Sequence, residues 1–525
     1  MSEVSITGVT GGLSSSPYLF SKGQFLNSVG IDPDSALTDN ANDFLASGVL
    51  RPTAFADFTS TVVTATPKWI TTNPKDTKIY ALLDNGRFVS YDKDFTNETL
   101  IATASTCTGN GMAYYNNYIY VFRNTDVDRY GPLNNSPAYA TGVWTGATLG
   151  SQTALTNTTY PTMRDSVVLP NHVAFVHSDN ALYFCDFVNG QGILHKIKTS
   201  KVTDEGDTDD GSSYNVLDLP FGFMPTAITN VGTSLVVAAI QTSDTDLVQG
   251  SSRLFIWNAI ASSFSTEIPI TDPIISAVHN ANGFVYVFSG GLGDNGYRIG
   301  YIAGASTVKG IYTSTDGHSP LPGAVDASGD KFYWGTIKKV MTTTSPEYYG
   351  VVMSANSKNP NLPLGIQTPA KASLTATSSN GCIASVKIVQ QASLSIQKPI
   401  FGWKSASVYG ADKITTTYST AIFHAPTIQV GRRFKIKRIR VNFGAAVAAN
   451  MTLTAKIFLD NFTSSSLGSS RTINSANYAN EELFVEWKDV DITGNNNFVL
   501  ELRWSGTALL PVLMPIVIDV DPILD

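Results

Sequence analysis

Charge is scarce in this chain of 525 residues: Asp, Glu, Lys and Arg together make up 15% of it, against about 25% in an average globular protein. Ser, Thr, Asn and Gly take the vacated surface positions, a texture common to extracellular β-proteins and virion proteins. The 42 acidic and 35 basic side chains leave a net charge of −7. That sign argues against nucleic acid as the principal partner, because phosphate binding needs a positive footprint. Cysteine is scarcer still. Cys107, Cys185 and Cys382 are the only three, with no Cys-x-x-Cys and no Cys/His run at metal spacing, so neither a disulfide framework nor a zinc centre is expected. No apolar run approaches the ~20 residues of a membrane span. The opening Met1 to Gly8 has neither the basic nor the apolar region of a secretion signal. The expectation is a soluble protein made without a classical secretion signal.

Catalytic patterns are also missing. There is no Walker motif, no His-Glu-x-x-His and no Gly-x-Ser-x-Gly. The six histidines, His172, His177, His195, His279, His318 and His424, are dispersed, and no Ser/His/Asp constellation is legible. Gly290 to Gly296 is glycine-rich but follows a strand pattern and opens no helix, so it reads as a surface turn. The acidic run Asp204 to Asp210 lacks the glycine and glutamate of a calcium loop and reads as a solvated rim. Ser314-Thr315-Asp316-Gly317 matches part of the Asp-box turn of sialidase-like propellers, without its aromatic or a second copy, and reads as a plain turn. No catalytic, cofactor-binding or metal-binding residue is assigned, and no cofactor is expected. Paired glycosidase carboxylates far apart in sequence remain an open alternative.

What the chain does have is a repeated cycle of aromatic and β-branched strand cores, supported by 43% hydrophobic and 10% aromatic residues. The clearest copy is Lys78-Ile79-Tyr80-Ala81-Leu82-Leu83, the turn Asp84-Asn85-Gly86, then Arg87-Phe88-Val89-Ser90-Tyr91. Related cores recur at Tyr118 to Phe122, Ala181 to Phe184, Ser234 to Val237, Phe284 to Phe288 and Lys331 to Trp334. Their spacing, roughly 50 residues, suits a four-stranded blade with elaborated loops. Asn116-Asn117, Asn189-Gly190 and Asn282-Gly283 supply hairpin-turn chemistry. The stretches 129–162 and 199–218 look too polar for a core and are expected to project from a rim.

Residues 1–55 read as an extended arm with little regular structure, apart from a short helix over 40–46 capped by Asp39. Residues 56–413 read as a six- or seven-bladed β-propeller. Residues 414–525 carry longer alternating strands, including Arg433 to Val441, and read as a C-terminal β-sandwich. Its last segment, 511–520, is expected at an edge because of its prolines. The fold class is therefore all-β. One basic cluster stands out in that sandwich: Arg432, Arg433, Lys435, Lys437, Arg438 and Arg440. It reads as a solvated strand face, or as an interface with an acidic neighbour, plausibly another copy of this acidic chain, with nucleic-acid contact a third reading that lacks interleaved aromatics apart from Phe434.

Ser21 to Phe25 with Gly30 to Asp34, then Ser47 to Phe55, and the strand Phe434 to Ile439 resemble structural proteins of tailed bacteriophages. In those proteins an N-terminal arm leads into a β-propeller and then a β-sandwich. The resemblance implies a non-enzymatic virion protein, a ring-forming tail hub, nozzle or tail-tip component serving tail assembly, DNA exit or fibre attachment. Its implied partners are further copies of itself, other tail or connector proteins and tail fibres, with at most non-specific DNA contact, and its implied place is the virion tail. The alternative is a glycan-binding or glycan-cleaving propeller used in host attachment.

Overall fold

The computed structural model describes residues 2–6, 27–29, 31–38, 44–52, 63–72, 78–92, 97–103, 111–123, 126–145, 173–198, 213–242, 252–272, 274–281, 283–290, 297–304, 306–314, 318–328, 331–341, 346–356, 367–371, 381–390, 397–405, 408–413, 420–443, 451–459, 471–473, 484–488, 490–506 and 512–523. All the regular elements among them are strands, so the protein is all-β. No helix of the described residues is long and apolar enough to cross a membrane. The chain divides into two compact units. One comprises Met1–Ala56, Met353–Ala370 and Ile414–Asp525, the other Asp57–Val352 and Lys371–Lys413.

The larger unit is a succession of antiparallel meanders. Pro67–Thr72, Lys78–Leu83, Arg87–Asp92 and Thr99–Thr103 make the first sheet, and Met112–Tyr115, Tyr118–Phe122, Asp126–Gly131 and Ala138–Thr145 the second. Ala174–Val176, Leu182–Val188, Gln191–Ile197 and Ser213–Phe221 form the third. Phe223–Val231, Ser234–Gln241, Ser252–Trp257 and Thr266–Ile270 form the fourth. The fifth holds Ile274–Ala281, Phe284–Gly290, Tyr297–Ala303 and Thr307–Thr313. His318–Ser328, Lys331–Met341 and Pro346–Tyr349 pair next, and Gly381–Gln390, Gln397–Ser405 and Val408–Lys413 make a seventh sheet. The first strand of each sheet packs against the first strand of the next, and Gly381–Gln390 packs back against Pro67–Thr72.

The turn chemistry explains why these strands double back. Asn116 and Asn117 sit at φ 47° and 69°, Asn189 and Gly190 at 50° and 82°, and Gly86 and Gly283 at 80°. Tight hairpins demand that left-handed geometry, which Asn and Gly adopt at least cost. The strand cores expected from the sequence are the second strands of the first six sheets, and they are almost fully buried.

Aromatic and aliphatic clusters fill the space between consecutive sheets. Tyr80, Leu82 and Phe88 of the first meet Met112, Ile119 and Val121 of the second. Phe122 stacks on Phe184 of the third with ring centroids 4.8 Å apart. Phe288 of the fifth lies 5.6 Å from Trp334 of the sixth. Ile400 and Ala411 of the seventh join Ile79 and Val89 of the first in one cluster. Each large side chain so buried contributes roughly 2–3 kcal/mol, which makes these clusters the main source of cohesion between sheets. Polar ties accompany them. Thr226 Oγ1 donates to the Ile275 carbonyl at 2.7 Å, Asn280 Nδ2 to the Asn230 carbonyl at 2.9 Å, and Trp334 Nε1 to the Tyr297 hydroxyl at 3.1 Å.

Two stretches expected to project from a rim instead supply fourth strands, Ala138–Thr145 and Ser213–Phe221. An outermost strand buries one face only, so Leu217 and Leu219, both 1% exposed, suffice in an otherwise polar run. The acidic run 204–210 lies outside the described residues.

The smaller unit contains two sheets that share one hydrophobic core. Ile31–Thr38, Phe44–Pro52, Val512–Pro522, Phe434–Phe443 and Phe484–Trp487 run in that spatial order in one, with Ser2–Ile6 also on Val512–Pro522 and Ile492–Gly494 also on Phe434–Phe443. Asn27–Val29, Thr420–His424, Asn497–Gly506, Met451–Leu459 and Arg471–Ile473 run through the other. Ile6, Ile31 and Leu50 join Phe423, Leu453, Leu502, Trp504, Ile516 and Ile518 in the core between them.

Three sequence expectations are corrected here. Where it is described, the N-terminal segment is strand rather than an extended arm: its apolar residues are too sparse to form a core alone, but Ile6, Ile31 and Leu50 complete one with the C-terminal segments. The helix expected over 40–46 is absent where described, since Phe44, Leu45 and Ala46 belong to the strand Phe44–Pro52. The terminal segment is an interior strand, not an edge. Val512 and Leu513 pair with Leu50 and Val49, whereas Ile516 to Val520 pair with Ile6 to Ser2. Pro515 falls in the gap between those partners, and on the other side at a register shift near Asn442. Its missing N–H therefore costs no ladder bond.

Candidate functional site

A cavity of about 600 Å³ lies within the larger unit. Its walls come from the first strands of all seven sheets described above, with Lys78 and Ile79 from the second strand of the first. These strands carry a recurring step, an Ile or Val followed by a more polar residue: Ile70-Thr71, Ile228-Thr229, Val278-His279, Val325-Asp326 and Val386-Lys387. Trp69, Tyr114 and Phe175 add aromatic surface to the same walls. The cavity reaches the surface beside Lys78 and Val176, which are exposed.

Two charged side chains of the cavity are paired, and a third, Lys78, stands exposed at its mouth. Lys387 Nζ sits 3.0 Å from Asp326 Oδ2, and the Ile388 N–H donates to the same oxygen at 2.8 Å. These two contacts tie the sixth sheet to the seventh and leave Asp326 Oδ1 without a partner among the described residues. Burial lowers the pKa of His279; the Asp326 carboxylate opposes that shift and the Lys387 ammonium adds to it. The net effect is a neutral imidazole near pH 7, able to donate through one nitrogen and accept through the other. Two other hydroxyls on the walls are already committed, Thr226 to the Ile275 carbonyl and Ser276 to the Phe288 carbonyl. The hydroxyls of Thr71 and Thr229 have no hydrogen-bond partner among the described residues.

This arrangement was not found from sequence. His279, Asp326 and Lys387 are separated by whole sheets, and each looks like an isolated polar residue in an apolar strand. The aliphatic-then-polar step at equivalent positions was the available signal, and it becomes informative only once the first strands are known to face one space.

The basic cluster of the smaller unit lies on Phe434–Phe443 and the turn before it. Phe434, Ile436, Ile439, Val441 and Phe443 point into the core, and the alternation skips a residue between Ile436 and Ile439, where pairing with Val512–Pro522 shifts register. The cations are largely answered within the chain. Lys435 and Lys437 reach Asp491 at 2.9 and 3.5 Å. Arg438 bridges Asp519 at 2.6 Å and Glu486 at 3.0 Å. The hydrogen bond to Asp491 raises the pKa of Lys435, and that to Asp519 raises the pKa of Arg438. Arg440 lies over the Phe484 ring at 4.3 Å. Arg432 and Arg433 are exposed at the turn. The structure thus brings the six residues together, and Lys435, Lys437, Arg438 and Arg440 contact side chains of the same unit.

Among the described residues no group of three or more His, Cys, Asp or Glu side chains could hold a metal ion. The chain matches no family model and no curated protein. Among solved structures it is similar to the Cps50 (Swd1) β-propeller domain of Myceliophteria thermophila, at 13% identity and a TM-score of 0.41, over 69% of this chain and 100% of that one. The Pan2 WD40 domain of Neurospora crassa follows at 7% identity and 0.41, over 67% and 89%. An exo-β-1,3-galactanase of Phanerochaete chrysosporium gives 11% identity and 0.27, over 94% and 100%. Scores this low carry no argument for architecture or activity, and the reading of the fold rests on the sheets themselves.

Proposed function

We propose that the chain is a non-enzymatic structural protein of a tailed-bacteriophage virion, a ring-forming tail hub, nozzle or tail-tip component. In this reading the larger unit is a seven-bladed β-propeller and the smaller a β-sandwich. The observation that carries it is the placement of the segments that resemble phage tail proteins. Residues 31–34 and 47–52 come from the N-terminal part of the chain, and Phe434 to Ile439 from near its other end. All lie in one sheet, with Val512–Pro522 paired to both Phe44–Pro52 and Phe434–Phe443. That the described parts of the resembling segments share one sheet supports the reading.

Such a protein would be made in the host cytoplasm and end in the virion tail. It would stack with connector or tail proteins and with copies of itself, hold fibres, or surround the DNA exit path. Contact with DNA would be non-specific, given the net charge of −7. Negative-stain imaging and mass photometry of the purified chain should show closed rings of several copies, and labelled antibody should decorate the tails of virions. A chain that stays monomeric at every concentration, with no label on tails, overturns the reading. Release of reducing sugar from host polysaccharide would make it an enzyme instead.

A further inference from the structure

We propose that the cavity of the larger unit is a binding site for a neutral saccharide, of monosaccharide to disaccharide size. The volume of about 600 Å³ falls in the usual range for small-molecule sites, roughly 300–1,000 Å³. Away from Lys78 at the mouth, the paired charges of the inner wall decide the ligand class. An anion drawn to Lys387 would meet Asp326 3.0 Å from that ammonium, and a cation drawn to Asp326 would meet Lys387. A neutral ligand with adjacent hydroxyls uses both, donating to Asp326 Oδ1 and accepting from Lys387 Nζ. The imidazole of His279, kept neutral by burial, can donate and accept at once, as a sugar hydroxyl does.

The apolar part of the cavity fits the same class. A pyranose presents hydroxyls at its edge and C–H groups on its faces, so it needs a flat apolar partner as well as hydrogen bonds. Trp69 supplies one. Its indole passes the backbone of Gly323, where an added Cβ would lie 3.3 Å from the ring; Gly323 itself holds a left-handed φ of 78°. The glycine thus leaves room for the indole beside the strand that carries Asp326. Thr229, 3% exposed, stands on a neighbouring wall with its hydroxyl uncommitted.

Tryptophan fluorescence of the full chain, titrated with neutral hexoses, N-acetylhexosamines and their disaccharides, tests the site; glucuronate, inorganic phosphate and calcium serve as charged controls. At least one neutral sugar should saturate with one-to-one stoichiometry below about 10 mM. His279→Leu and Thr229→Val should each weaken it about tenfold with an unchanged unfolding midpoint. Hydroxyl-radical footprinting of the unaltered protein gives a measure independent of any variant: the sugar should protect peptides bearing Trp69 and Tyr114. No saturable neutral sugar, tighter binding of a charged control, protection elsewhere, or affinity untouched by both substitutions in folded variants overturns the proposal. None of these outcomes bears on ring formation, so this site and the tail reading stand or fall separately.

Discussion

Ser385 donates its hydroxyl hydrogen bond to the carbonyl of Pro67 at 2.6 Å, joining positions 318 residues apart. A backbone bond from the Val63 N–H to the Tyr409 carbonyl, at 3.0 Å, runs between the same two regions of the chain. Through this pair the seventh sheet is fastened to the first. Ser385→Ala should cost about 1–3 kcal/mol, since it leaves a buried carbonyl without its donor. Gly402→Ala should cost more, because its Cβ would overlap both the Pro67 carbonyl and the Ser385 hydroxyl. Urea unfolding with an unchanged slope reads both; a midpoint unmoved by Ser385→Ala would mean the tie is dispensable.

Removal of residues 1–52 should disrupt the smaller unit. The deletion strips Ser2–Ile6 and Phe44–Pro52 from the terminal strand and takes Ile6, Ile31 and Leu50 out of the core. The exposed edge of Val512–Pro522 then invites aggregation. Limited proteolysis should cut within 414–525 in the truncated chain while 57–352 stays protected. Full protection of both would contradict the pairing.

The basic cluster should split into two kinds of residue. Arg438→Met leaves the buried Asp519 without its ion-pair partner and should lower the thermal midpoint. Arg432→Glu, at an exposed position, should leave stability nearly unchanged but slow the ring assembly proposed above, most of all at low salt. Equal midpoints for the two substitutions would remove the distinction.

Glu501 predicts an acid-sensitive contribution to stability. Burial pushes its carboxyl pKa up, but the hydrogen bond with His424 Nε2 at 2.7 Å, with the nearby charges of His424, Arg503 and Lys456, holds it below its ordinary value of 4.5. A carboxyl with a depressed folded pKa stabilises fully above the unfolded value, and that stabilisation disappears as pH falls through the folded one. Glu501→Gln should therefore be less stable than the parent at neutral pH and lose less on acidification. Urea midpoints between about pH 7 and pH 3 should converge; parallel curves would count against it.

Cys185 and Cys382 should resist modification in the folded protein. Both are buried, and burial raises both thiols, that of Cys382 to about 11. Pulsed alkylation at mild alkaline pH followed by peptide mapping should label them only after unfolding. Rapid native labelling of Cys185 would imply that the third sheet opens readily.

The sequence announced the larger unit because second strands are buried on both faces and read as unbroken apolar runs, as in Ile79 to Leu83 and Val285 to Phe288. Their Asn and Gly turns need only local chemistry, so Asn116-Asn117 and Asn189-Gly190 were legible. Outer strands such as Ser213–Phe221 were not, because one buried face leaves only Leu217 and Leu219 as a signal. The N-terminal strands were hidden for a different reason: their partners lie at the far end of the chain, and Pro33, like Pro515, sits where pairing shifts register. The cavity residues announced themselves least, since His279, Asp326 and Lys387 acquire a common meaning only through a shared space.

The pairing of Ser2–Ile6 and Phe44–Pro52 with Val512–Pro522 also sets an order of events during synthesis. Ser2–Ile6 and the outer edge of the Ile31–Thr38/Phe44–Pro52 hairpin have no permanent neighbour until Val512–Pro522 appears, and all of 57–413 is polymerised in between. At typical rates of synthesis that interval is on the order of tens of seconds, long enough for the larger unit to fold while the N-terminal hairpin waits with an open edge. The smaller unit then closes last. Any stall or cleavage before Val512 would leave a finished larger unit attached to a half-built, adhesive sheet.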